Sequence, residues 1–156
     1  MIFIILIVSF FLDGLLSNLL RFSNYFYPLC FLLSLVIICP CFKKGNIKNY
    51  YFISLIMGLL YDIVYTNTLF LNFILFFWLA ILIKLIYNLV PNNYLSLLFI
   101  SFLIIVLYRL VVYLIMFIIS YKVLSINILF DSILSSMLIN FIYVSSLYVL
   151  LKKKLI

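Results

Sequence analysis

The sequence predicts an all-α integral membrane protein, a six-span transmembrane helix bundle forming one domain over residues 1–156. Three observations carry this. Of the 156 residues, 71% are hydrophobic and 8% are charged, whereas a soluble domain uses about 25% charged residues to keep its surface wet. The apolar residues form continuous runs near the ~20 residues that a helix needs to span a bilayer. The basic residues sit mainly at the ends of those runs, as the positive-inside rule places them. Strands of a membrane barrel would alternate apolar and polar residues over about 10 positions, and these runs do not alternate.

Each span is bounded by charge, Pro, Gly or Asn. The first covers about residues 1–20 and stops at Arg21. It has no basic leader region and no small-residue cleavage site, and Asp13 interrupts it, so it reads as a retained span. The second covers about 25–42 and stops at Lys43-Lys44-Gly45-Asn46. The third covers about 49–65 and is followed by a tight Thr66-Asn67-Thr68 turn. The fourth covers about 69–90 and stops at Pro91-Asn92-Asn93. The fifth covers about 94–121 and the sixth about 127–151, the last ending on Lys152-Lys153-Lys154.

Loop charge sets the expected orientation. With the N-terminus in the cytoplasm, the inner side receives Lys43, Lys44, Lys48, Lys84 and Lys152 to Lys154, and the outer side only Arg21 and Lys122. Both termini are therefore expected in the cytoplasm of a cell whose inner membrane this chain crosses. The formal net charge of +7 does not point to nucleic acid, because no basic stripe exists to follow a phosphate backbone.

Composition also narrows the chemistry. Glu, Gln and His are absent, and the acids are Asp13, Asp62 and Asp131. Histidine-dependent triads are excluded, and the commonest metal ligand is missing. Cys39-Pro40-Cys41 offers two thiolates, which alone do not complete a tetrahedral site. With Cys30 they read as buried small hydrophobes. Phosphoryl transfer needs a glycine-rich cradle, and the chain has three glycines. Intramembrane aspartyl proteases pair a Tyr-Asp with a Gly-x-Gly-Asp. Tyr61-Asp62 matches the first, but Ile128-Leu129-Phe130 precedes Asp131. No catalytic residue, metal or cofactor is expected.

The informative residues are polar ones at membrane depth, where a charge costs at least about 2.5–3.5 kcal/mol. Asp13 lies about 10 Å below the outer end of the first span at 1.5 Å rise per residue. Asp62 and Asp131 lie about 6 Å below the outer ends of the third and sixth. Arg109 is near the middle of the fifth, and its stem can snorkel outward. With Asn72 these form an expected buried polar layer, in which Arg109 neutralises one or more acids or the group lines an outward cavity. Ser54 and Gly58 are four apart, so they share a face and favour close helix approach. Ser132, Ser136, Asn140 and Tyr143 form a stripe on the sixth span that faces other helices, in this bundle or in a different protein. Lys84, near an inner end, is expected only to snorkel.

Met57-Gly58-Leu59-Leu60-Tyr61-Asp62, a short polar turn and Leu69 resemble the signature of the rod shape-determining protein MreD family. That family shows a Gly, an Asp four residues later and a following Leu-Gly. Phe70 stands where the second glycine is usual. Pro28 matches a proline near the start of the family's second span, and Asp13 a polar residue in its first. The resemblance implies a non-catalytic scaffold subunit of the bacterial cell-elongation complex, supporting peptidoglycan synthesis. It implies an MreC-like single-span partner and, through it, the MreB filament, RodA and a class B penicillin-binding transpeptidase. Gly58 and Asp62 would then be its main packing determinants. The family is similar in fold to the substrate-binding subunits of energy-coupling-factor vitamin transporters, and such a subunit is the alternative reading. An outward cavity lined by Asp13, Asp62, Asp131 and Arg109 would suit a polar solute. The Ala-x-x-x-Ala docking face of those subunits is missing, since Ala80 is the chain's one alanine.

Overall fold

In lipid, a helix is favoured because it satisfies its own internal backbone groups where no water can. The computed structural model follows that rule. It describes residues 2–19, 28–42, 46–66, 70–91, 93–119 and 126–155, and among these no strand occurs. The helices are α1 (Ile2–Leu19), α2 (Cys30–Ile38), α3 (Ile47–Tyr61), α4 (Leu71–Leu89), α5 (Tyr94–Ile118) and α6 (Ile126–Leu155). A 3-10 turn, Cys39–Cys41, extends α2, and a turn of π-helix, Asp62–Thr66, extends α3.

The chain is a multi-pass α-helical membrane protein. Four segments, Ile47–Thr66, Leu71–Leu89, Tyr94–Ile118 and Leu129–Leu151, are long and apolar enough to cross a membrane. The apolar helices Ile2–Asn18 and Cys30–Cys41 are shorter. The second differs most from the span expected over about 25–42. Residues 25–27 lie outside the described residues, and Pro28 and Leu29 are not helical. At 1.5 Å per residue, Cys30–Cys41 rises about 18 Å, well under the ~30 Å of a hydrocarbon core. The fifth helix ends at Ile118, before the expected 121, and the sixth runs on to Leu155. The expected turn at 66–68 falls mostly outside the described residues, as do Arg21 and Lys122.

Packing explains the short helix. Every residue of α2 is buried, which is what a helix apolar on all sides requires. It sits at the centre, against α1, α4, α5 and α6, while α3 pairs with α4 and α5 with α6. The outer helices present large apolar side chains outward instead, among them Phe3, Phe52, Ile74, Phe99 and Leu138. A soluble protein does not expose such a surface, but lipid solvates it.

Candidate functional site

A helix leaves its first four N–H groups without intrahelical partners. In hydrocarbon each such group costs several kcal/mol unless another acceptor takes it. At the start of α2 the acceptors come from two other helices. The carboxylate of Asp13 on α1 accepts from Cys30 N–H at 2.7 Å and from Phe31 N–H at 2.9 Å. Asn140 Oδ1 on α6 accepts from Leu29 N–H at 2.8 Å. Asn140 in turn donates through Nδ2 to the Ser136 carbonyl at 2.6 Å. Leu33 N–H then reaches Leu29 C=O at 2.9 Å, and the helix continues on its own bonds. Nearby, Ser9 of α1 bonds the Tyr143 hydroxyl of α6.

The start of α4 repeats the arrangement. The Asp62 carboxylate accepts from Asn72 N–H at 3.0 Å and Phe73 N–H at 2.9 Å, one oxygen for each. Asn72 Nδ2 at 2.9 Å and the Thr66 hydroxyl at 3.2 Å add to the first oxygen. A carboxylate on one helix thus caps the next helix in both cases. Asp13 and Asp62 are 3% and 4% exposed, so both acids are withdrawn from solvent and matched by donors.

Gly58, one turn before Asp62, brings the two helices close enough for this. A Cβ built at Gly58 would lie 2.4 Å from the Asn72 carbonyl oxygen and 2.7 Å from Phe73 Cα. Both are backbone atoms at the capped end of α4, so only glycine fits. Ser54, one turn earlier still, is fully buried and bonds its own helix at the Tyr51 carbonyl. Phe70, at the N-cap of α4, has φ 61° and ψ 9°. This is the left-handed region, which disfavours any residue with a Cβ.

Aromatic contacts join the two capped starts. Phe31, whose amide binds Asp13, meets Phe10 of α1 at 5.1 Å, Tyr61 of α3 at 6.4 Å and Phe76 of α4 at 6.3 Å between ring centroids. Phe76 meets Tyr108 of α5 at 6.3 Å. The Tyr108 hydroxyl donates to Asn72 Oδ1 at 2.9 Å, closing the path to Asp62. One polar and aromatic network therefore ties α1 to α5 around the central helix, with α6 attached through Asn140.

Of the residues singled out in the sequence, Asp13, Asp62, Asn72, Ser54, Gly58, Ser136 and Asn140 all lie in this network or beside it. Arg109 follows Tyr108 on α5 and is partly buried. Ser132 is partly buried and bonds the Leu129 carbonyl of its own helix. Asp131 does not belong to the buried layer. It is exposed, because it lies off the Ser136–Asn140 stripe of α6. Lys84 does more than snorkel: its Nζ donates to the Phe42 carbonyl at 3.3 Å, beyond the C-terminal end of α2. Tyr50 supports that end too, with its hydroxyl on the Leu35 carbonyl at 3.2 Å. Tyr108, Thr66 and Lys84 were not foreseen as network members. Thr66 had a signal, since it stands four residues after Asp62.

Chemically the arrangement binds backbone. Two carboxylates already hold two or more donors each, and among the described residues no group of three or more His, Cys, Asp or Glu is placed to hold a metal. Comparison with protein-family models, curated proteins and solved structures found no match for this chain.

Proposed function

We propose that the chain is a non-catalytic scaffold subunit of the bacterial cell-elongation complex, of the MreD kind. It would support peptidoglycan synthesis by holding an MreC-like single-span protein and, through it, MreB, RodA and a class B penicillin-binding transpeptidase. One observation carries the reading. Gly58 and Asp62, on which the sequence resemblance rests, and position 70, where this chain has Phe in place of the family's usual glycine, form a single device at the crossing of α3 and α4. Gly58 admits the α4 backbone, Asp62 caps it, and position 70 takes the left-handed conformation that glycine adopts freely. The device explains why a family would keep a glycine, an aspartate and a second glycine at this spacing.

In this reading all six helices cross the cytoplasmic membrane of the cell, with both termini inside. Seven lysines on one side against two basic residues on the other support that orientation. The transporter-subunit alternative calls for acids facing an outward cavity. Asp13 and Asp62 turn their oxygens to backbone amides instead, and no specific observation favours it.

The test is a mild-detergent pull-down of the tagged protein from native membranes, read by mass spectrometry. Recovery of MreC with RodA or a transpeptidase supports the scaffold. Recovery of paired ATPases with a large membrane coupling subunit overturns it.

A further inference from the structure

A trough runs between α1 and α3, and its chemistry changes along its length. Along the first part of α1 and the second half of α3 it is lined only by apolar side chains and has a volume of about 360 Å³, within the ~300–1,000 Å³ typical of ligand pockets. Ile7 and Phe11 stand on one wall, Ile56 and Leu60 on the other, and Phe31 of α2 lies between them. Toward the C-terminal ends of the same helices it continues into a wider mouth of about 630 Å³. The two spaces share Phe10 and Phe11. The mouth is lined by Ser17, Asn18 and Tyr65 as well as apolar groups, and no charged residue is among the described lining. Tyr65 spans the junction: its hydroxyl donates to the Phe10 carbonyl at 2.5 Å and lies over Gly14, where a Cβ would come within 2.9 Å of it.

The geometry points to a bilayer phospholipid as the occupant, with an acyl chain in the trough and its glycerol ester region at the mouth. Three features favour it. The apolar part opens sideways to the membrane, since Ile7, Phe11 and Ile56 are all exposed. The mouth lies at the helix ends, where ester groups lie in a bilayer, and Asn18 there is an exposed residue with an amide donor suited to an ester carbonyl. The trough is lined wholly by apolar side chains, so a flexible acyl chain fills it without leaving any polar group unmatched.

The test uses the full chain in nanodiscs of phosphatidylethanolamine and phosphatidylglycerol. They are doped with a phospholipid carrying a diazirine in mid-chain, and adducts are mapped by mass spectrometry after photolysis. Adducts at Ile7, Phe11 and Ile56 are expected about fivefold above those at the equally outward Ile74 and Leu138, a ratio equivalent to about 1 kcal/mol of site preference. Ile56→Trp fills the trough and should remove the excess on α1 while leaving Ile74 labelled. Should that variant elute as aggregate, Ile7→Trp on the opposite wall gives the same readout. Asn18→Leu should lower the excess without removing it. Even labelling of trough and outward faces means an ordinary lipid annulus and overturns the proposal. So does the loss of trough labelling in native membranes together with cross-links there to another polypeptide, which would make this a protein-docking face.

Discussion

Gly58 and Asn72 touch backbone to backbone: there is no room for a Cβ between the α3 glycine and the α4 carbonyl oxygen it faces, 2.4 Å from where that atom would sit. The contact sets the distance at which Asp62 reaches the amides of Asn72 and Phe73. Gly58→Ala should therefore act twice, by forcing the helices apart and by stretching the cap. A loss of about 1–3 kcal/mol is expected from overpacking alone, with more if the cap opens. Unfolding in bicelles under SDS titration measures it, and an unchanged midpoint would contradict the packing argument.

Phe70 makes the opposite prediction. Its φ of 61° is one that a residue with a Cβ adopts at about 1–2 kcal/mol of strain. Glycine removes that strain and gives back about 0.5–1 kcal/mol through the freer unfolded chain. Phe70→Gly should be neutral to stabilising by up to about 1.5 kcal/mol on these figures, less whatever the lost ring contact with Phe73 contributed. Phe70→Val should destabilise, since a branched Cβ is least tolerated there. If Val proves as stable as Gly, the left-handed conformation does not exist in the membrane.

Removal of a capping carboxylate leaves amides unmatched. Asp62→Asn keeps one acceptor of two and should lose about 1.5–3 kcal/mol, the range for hydrogen bonds to a charged group. Asp62→Lys replaces the acceptor with a buried donor and should prevent assembly of the bundle. Size-exclusion profiles and protease resistance of the two variants distinguish graded loss from collapse. Normal assembly and partner capture by the Lys variant would refute the capping role.

Tyr108→Phe tests the outer reach of the network. It deletes one hydrogen bond to Asn72 and keeps the ring on Phe76. The expected loss is about 0.5–1.5 kcal/mol. In a double-mutant cycle with Asn72→Leu, the two losses should not add; additivity would mean that the hydroxyl acts elsewhere.

Asp131 supplies the contrast. Because it is exposed, Asp131→Asn should change stability by less than about 0.5 kcal/mol, as surface substitutions do. A loss comparable with that of Asp62→Asn would mean a partner or a second copy covers it.

Helix class and the approximate ends of α1, α3 and α4 could be read in the sequence because apolar length and polar breaks report them directly. The Ser132–Ser136–Asn140–Tyr143 stripe was readable in its last three members, which are buried, because polar residues at helical spacing stand out against an apolar helix, whereas Ser132 is only partly buried. The course of α2 was not. Its residues are apolar on every side, so no stripe separates the central helix from one facing lipid. The work of Asp13 and Asp62 was equally hidden. A sequence shows which side chains share a face, and so suggested charge pairing with Arg109. Each carboxylate also accepts from two backbone amides 10 to 18 residues further along, which no side-chain pattern encodes. Asp131 looked like its fellow acids for the same reason, since no pattern showed that it lies on the exposed side of its helix.

The start of α2 has a consequence for how the chain is made. A segment this short is a poor candidate for a translocation channel to release into lipid by itself, so it is best delivered together with α1, which brings Asp13. Asn140, however, is synthesised about a hundred residues later. Until α6 arrives, the amide of Leu29 waits for its acceptor, so the centre of the protein is completed only once α6 has been made. A ribosome stalled before position 140 would leave a nascent chain whose outer helices are threaded but whose middle is still open, and membrane quality control would have one local defect by which to recognise it.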